Sequence, residues 1–253
     1  MNTEKDLEEI VKNVFRARDA AEVFFKQLVE KSSEVYKYRK DLYPSFLNKI
    51  ESMSQRGWYV SGFFGYSELD QLAQLANTAS DDVLANRIEE LYREDLADHV
   101  KSIAPNSPEY QWIAFRLHPA IDAHHRKEYC ISIPMFCIVA ESIHRKRTGA
   151  ELFIGQMNKE NMMGTHVLAN ELAGILGFDL FLPFGKITEH TLKGKFPISY
   201  NEKERNNKNY SGINRNTAVH GIDDESQATE ENSLKAFSFL SFIASLKLKE
   251  KGG

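Results

Sequence analysis

The sequence predicts an all-α protein, and three observations carry that prediction. Apolar residues recur at helical spacing through most of the chain, as in Leu7, Ile10, Val11 and Val14. Strand-type alternation is almost absent. Capping residues stand where helical patterns begin: Ser80 before Asp81 and Asp82, and Thr229 before a run with Leu234, Phe237, Leu240, Phe242, Ile243 and Leu246.

Taken in order, the first helix is expected over 3–31, with Thr3 as cap and Asp6, Glu8 and Glu9 in its first turn. Helical character continues through 32–53, with a break expected near Pro44. "RGWYVSGFFGYSE" (56–68) is a connection whose aromatic side chains are expected to fill a groove between domains rather than stack on nucleic-acid bases. Residues 67–77 and 80–103 form a second helical pair, closed by the turn cluster "APNSPEY" at 104–110. An amphipathic helix over 109–126 then precedes one over 127–147. The latter is apolar nearly all round, which places it in a core, and Pro134 should kink it. A helix over 160–178 leads to a long irregular connection over most of 179–212. A short helix begins near Ile213 and ends at Gly221, an acidic loop "IDDESQA" follows, and the last helix is expected over 230–249. The character changes near Pro108, so two parts are expected: 1–105, a helical region to which no chemistry attaches, and 106–253.

Bulk composition narrows the class. The 253 residues suit one large or two small domains, and 42% hydrophobic with 27% charged residues is ordinary for a globular chain. A net charge of -4 does not mark a nucleic-acid binder, although binding needs only a local basic patch. Cys130 and Cys137 read as small core residues in a reducing compartment. The charged start "MNTEKDLEEI" has no apolar leader, and no apolar run reaches membrane-spanning length. A soluble cytoplasmic protein without a membrane partner is the expectation.

The chemistry concentrates in "GINRNTAVHG", residues 212–221. Cleaving RNA through its own 2′-hydroxyl needs a group that moves protons and a group that holds the crowded phosphorane. Histidine titrates near neutrality and suits the first task; arginine, always charged and forked, suits the second. His220 and Arg215 offer this pair, and Asn216 adds amide hydrogen bonds. On an ideal helix residues five apart differ by roughly 140°, so the two side chains share a face only if the long Arg215 chain reaches round, or if a second copy of the chain contributes. Lys203, Arg205 and Lys208, with Lys186, Lys193 and Lys195, make the upstream side basic and are candidates for RNA contact. Arg93 and His99 form a similar pair, but Glu94, Asp95 and Asp98 lie between them and would repel phosphate.

The stretch "NRNTAVHG", the following "TEENSLKAFSFLSFI" and the upstream helix "YCISIPMFCIVAESI" together resemble the HEPN superfamily (higher eukaryotes and prokaryotes nucleotide-binding domain). Its signature is an arginine, a polar residue and a histidine after four to six positions; Arg215, Asn216 and His220 fit as R-N-x3-H. The resemblance covers about 106–249. It implies a helical bundle, usually a homodimer with the motif at its interface. It further implies endoribonuclease activity that needs no metal and no cofactor, in phage defence, toxin–antitoxin systems or RNA processing, with RNA and an antitoxin or regulatory protein as partners. Two alternatives stand beside it. One is an inactive HEPN-like module that binds a nucleotide or a protein. The other is a structural helical interaction protein, which predicts a buried, salt-bridged Arg215.

Glu141 sits inside the apolar "CIVAESI" segment, where a carboxylate needs a partner. A structural salt bridge is the plain reading; orientation of Arg215 or His220 is the sharper one. His124 and His125, beside Asp122 and Glu128, read as a solvated face rather than a metal site, since neighbouring helical residues point about 100° apart. His118 and His144 are read likewise.

Overall fold

The structure is a computed structural model of the whole chain. It describes residues 41–148, 197–200, 202–208, 210, 212–221 and 225–246, with Lys26, Lys31 and Thr191 as isolated positions. The helices expected over 3–31 and 160–178, and much of the 179–212 connection, lie outside the described residues. The chain divides into two compact units, 1–43 and 44–253. All that follows concerns the second.

The described residues are all-α: helices and short 3-10 turns, with no strand among them. In chain order the helices are α1 (41–55), α2 (Tyr66–Thr78), α3 (Asp81–Glu94), α4 (Leu96–Ile103), α5 (Gln111–His125), α6 (Tyr129–Thr148), α7 (Glu202–Lys208), α8 (Arg215–His220) and α9 (Glu230–Ser245). Helix α6 packs on α9, α5 and α8; α9 also packs on α3 and α4, and α2 on α3. The change of sequence character near Pro108 therefore falls inside one unit, because helices from both sides of it meet on α9.

The expected caps form. Ser80 Oγ accepts from Val83 N at the start of α3, where Asp81 and Asp82 meet the positive end of the helix dipole. Thr229 Oγ1 accepts from Asn232 N at 3.2 Å and starts α9. Several boundaries differ from expectation, each for a local reason. The span expected as one helix over 80–103 is two. Asp95 steps out of helical geometry (φ -99°, ψ 12°), ends α3 by donating its N–H to Leu91 O, and starts α4 by accepting from His99 N. Pro44 lies within the helical run of α1 rather than at a break, since a proline removes one donor without forcing the chain to end its helix. Residues 202–208, expected to be irregular, form α7. Helix α9 ends at Ser245, short of 249. Helix α6 is not buried all round: Ile131 is 48% exposed and Cys130 is exposed, whereas Cys137 is buried. Its neighbours α5, α8 and α9 leave one flank uncovered among the described residues. That 20-residue helix is the longest apolar one, yet no described helix is long and apolar enough to cross a membrane.

Helix α9 is the centre of the unit. Residues 232–244 are buried throughout, Lys235 excepted. A helix with no solvent face must satisfy its hydroxyls internally, and each serine here does so against a different neighbour. Ser238 Oγ accepts from Tyr59 N, and Ser245 Oγ from Gly62 N at 2.9 Å. Ser241 Oγ donates to Ser61 Oγ at 3.0 Å and lies 2.6 Å from His99 Nδ1. Ser233 Oγ meets His124 Nδ1 at 2.9 Å and Ser132 Oγ at 2.7 Å. The aromatic side chains of 56–68 complete this core: Trp58, Tyr59 and Phe64 are buried, Tyr59 lies edge-on to Phe239 and Phe64 packs on Tyr92. The groove they fill lies within the unit.

Two expectations for histidine are corrected. His124 and His144 are buried, at 7% and 1% exposure, not on a solvated face; His118 and His125 are exposed. The helical period turns His124 towards α9 and His125 away from it. Arg93 and His99 do not act together. Arg93 pairs with Glu89 and Glu230, while His99 is buried among Phe64, Tyr92 and Phe237.

Burial pushes the His99 imidazole from 6.5 down to about 4, with nearby Asp98 opposing weakly. Burial moves His124 in the same direction. Between those two values the unfolded chain binds a proton at His99 that the folded chain does not. Stability is therefore expected to fall as the pH drops from 6.5 towards 4, by about 3 kcal/mol from His99 alone. Urea unfolding at pH 7 and pH 4.5 measures this, and the loss should be smaller in His99→Gln. A pH-independent gap between the two proteins would contradict the assignment.

Candidate active site on helix α8

The candidate site is built from a short loop, a six-residue helix and one carboxylate on α6. Six residues cannot sustain a helix by backbone bonds alone, so α8 depends on its ends. Asn214, fully buried, is the N-cap: its Oδ1 accepts from Asn216 N at 3.0 Å and Thr217 N at 3.4 Å. Its Nδ2 donates to Pro197 O at 2.9 Å and Tyr200 O at 2.8 Å, so one amide ties the helix start to the Pro197–Ser199 turn. Thr217 Oγ1 donates back to Asn214 O, and Tyr210 Oη donates to Ile213 O. At the other end Gly221 takes the left-handed conformation (φ 67°, ψ 31°), as expected of a C′ glycine. The helix starts two residues later than expected, because Asn214 and not Asn216 or Ile213 sets its first turn.

Arg215 is the first residue of α8. Its Nη2 donates to Glu141 Oε1 at 2.7 Å and Oε2 at 2.8 Å, and its Nη1 donates to Asn216 Oδ1 at 3.0 Å. The side chains of Arg215 and Glu141 are 21% and 25% exposed, so the pair lies at the edge of the core, still in reach of solvent. Glu141 therefore does hold the arginine of the motif. Asn216 supports the guanidinium through its side chain and is not the cap. His220 is exposed on the last turn and makes no hydrogen bond or ion pair with the described residues. Neither a hydrogen bond nor an ion pair joins His220 to Arg215 within the chain.

The upstream cations are only partly available. Lys208 Nζ donates to Tyr200 Oη at 2.9 Å and stands 4.7 Å from that ring's centroid. Arg205 is half-buried, and Lys203 is exposed. All three share α7 with Glu202 and Glu204, which dilutes the patch. Lys186, Lys193 and Lys195 lie outside the described residues. Among the described residues no group of three or more His, Cys, Asp or Glu side chains is placed to hold a metal ion.

Sequence reasoning passed over Asn214, although the signal was available: an asparagine immediately before a short helix that ends in glycine. Replacing it should be costly. Asn214→Ala removes the cap and leaves two buried carbonyls without their donor, and is expected to lower the unfolding free energy by about 2–4 kcal/mol in urea titration. A loss below about 0.5 kcal/mol would show that α8 is held by other contacts.

Compared with known proteins, the chain matches no protein-family model, no curated protein and no solved structure.

Proposed function

We propose that the α8 motif is a ribonuclease site of the HEPN type, cutting RNA through its own 2′-hydroxyl without a metal. The observation that carries this reading is the placement of Arg215. The arginine of the R-N-x3-H motif opens a capped helix and is fixed by Glu141 and Asn216, while His220 at the far end is exposed. A fixed guanidinium holds developing phosphorane charge better than a mobile one, since no reorganisation is needed as charge builds.

In the proposed reaction His220 accepts the proton of the 2′-hydroxyl as its oxygen attacks phosphorus. The bond from phosphorus to the 5′-oxygen breaks, and that oxygen leaves with a proton. The products are a 2′,3′-cyclic phosphate and a 5′-hydroxyl end. Arg215 faces the non-bridging oxygens, where Nη1 exchanges its Asn216 contact for phosphate. A two-fold pair of chains would supply a second His220 as the acid for the leaving oxygen, which is why a homodimer belongs to the proposal. An antitoxin or regulatory partner, and a cytoplasmic setting in defence or RNA processing, rest on the resemblance alone.

A specific observation favours a second reading. The Glu141–Arg215 pair is what a structural strut between α6 and α8 would look like, and a helical interaction or binding module needs nothing more.

Incubating mixed RNA with the protein in EDTA separates the two. The ribonuclease reading expects cleavage by the wild type and a loss of at least about 100-fold in both His220→Ala and Arg215→Ala, with folding intact by circular dichroism. Absence of wild-type cleavage on every RNA tried, or activity that survives both substitutions, would leave the strut.

A further inference from the structure

We propose that an aromatic and basic strip across α5 and α6 binds single-stranded RNA and leads it to the α8 motif; this rests on the ribonuclease reading above. The strip begins at Phe115, which is 77% exposed and is by far the most exposed large apolar side chain described. Arg116 lies beside it, with its guanidinium carbon 6.0 Å from the Phe115 ring centroid, and donates to Trp112 O at 3.3 Å. One turn back, Trp112 carries the Lys146 ammonium over its ring at 4.1 Å. That contact fixes the register: the start of α5 lies against the end of α6.

The α6 end of the strip runs to the candidate site. Glu141 and Arg145 are four residues apart, as are Ser142 and Lys146, so each pair shares a helix face within roughly 6 Å. Arg145 and Lys146 are both exposed. A path over this turn of α6 therefore passes from Trp112 and Lys146, across Arg145, to the Glu141–Arg215 pair.

Charge selects the occupant. No acidic residue occurs in 110–121 or 142–150, whereas these stretches hold Arg116, Arg145, Lys146 and Arg147. Arg147 is spent on α9, where it donates to Ala244 O and Leu246 O. The remaining cations form a local positive strip on a chain of net charge -4. An exposed ring flanked by cations matches the chemistry of an unpaired base on a phosphate backbone: the ring stacks on any base, and the cations track the phosphates. A duplex, whose bases are already stacked, would gain little from Phe115. An apolar protein partner would gain little from the cations.

The test uses the full chain and a fluorescein-labelled oligouridine, 2′-O-methylated so that it cannot be cut by its own 2′-oxygen. Anisotropy titration in EDTA should show binding that weakens about tenfold in Phe115→Ala. In Lys146→Gln the slope of log affinity against log salt should fall by about 0.7. Circular dichroism should be unchanged in both, and Arg116→Gln gives a second cation readout if Lys146→Gln disturbs Trp112. Wild-type-like binding by Phe115→Ala and both cation variants would overturn the strip, as would absence of wild-type binding. Unchanged RNA affinity with a lowered solution mass in Phe115→Ala would also overturn it, by showing that the face joins two copies of the chain. The ribonuclease reading fails separately. Binding that depends on the strip without any cleavage of ordinary RNA sinks that reading alone, and cleavage with binding indifferent to the strip sinks the strip alone.

Discussion

A helix buried on every side constrains everything packed on it, and α9 is that helix. Its apolar residues supply the core, but its serines set the arrangement, because each buried hydroxyl needs a partner at a fixed distance and angle. Ser233 fixes α5 and α6, Ser241 fixes α4 and the 56–68 connection, and Ser238 and Ser245 hold the backbone of that same connection. Apolar packing alone tolerates sliding; a chain of satisfied hydroxyls does not. Helix α6 is therefore held in one register, and Glu141 with it.

That register gives α8 its meaning. A helix of six residues has no stability of its own and takes its position from Asn214, from the Glu141–Arg215 pair and from packing on α6. The same pair sets the tension in the functional reading. An arginine held by a carboxylate is well oriented but partly neutralised, and it holds an incoming phosphate only if the Asn216 contact yields before the Glu141 contact does. Retaining the carboxylate favours orientation over charge, a sensible division if the strip on α5 and α6 supplies the bulk attraction for the backbone.

Much of this was legible in the sequence where the signal is local. Ser80, Thr229 and Gly221 announce helix ends by their own chemistry, and the structure places them there. Glu141 was legible as a carboxylate in apolar surroundings that needed a partner, and the partner is Arg215. What was not legible depends on which face a residue turns. His124 and His125 are neighbours in sequence with the same local context, yet one is buried against Ser233 and the other faces out, because only the position of α9 distinguishes them. Asp95 ends and starts a helix in a stretch whose periodicity reads straight through. The strip is of the same kind: Trp112 and Lys146 are far apart in the chain and become one feature only when α5 folds back on α6.

The central claim is that α8 carries chemistry rather than support, and the ends of a cut RNA report on it most directly. RNA treated with the wild-type protein in EDTA should carry 2′,3′-cyclic phosphate and 5′-hydroxyl ends, and substrates with a single 2′-deoxy nucleotide should resist cutting at that position alone. Ends bearing 3′-hydroxyl and 5′-phosphate, or cutting that ignores the 2′-deoxy substitution, would contradict the account, since the proposed nucleophile would not be the one used.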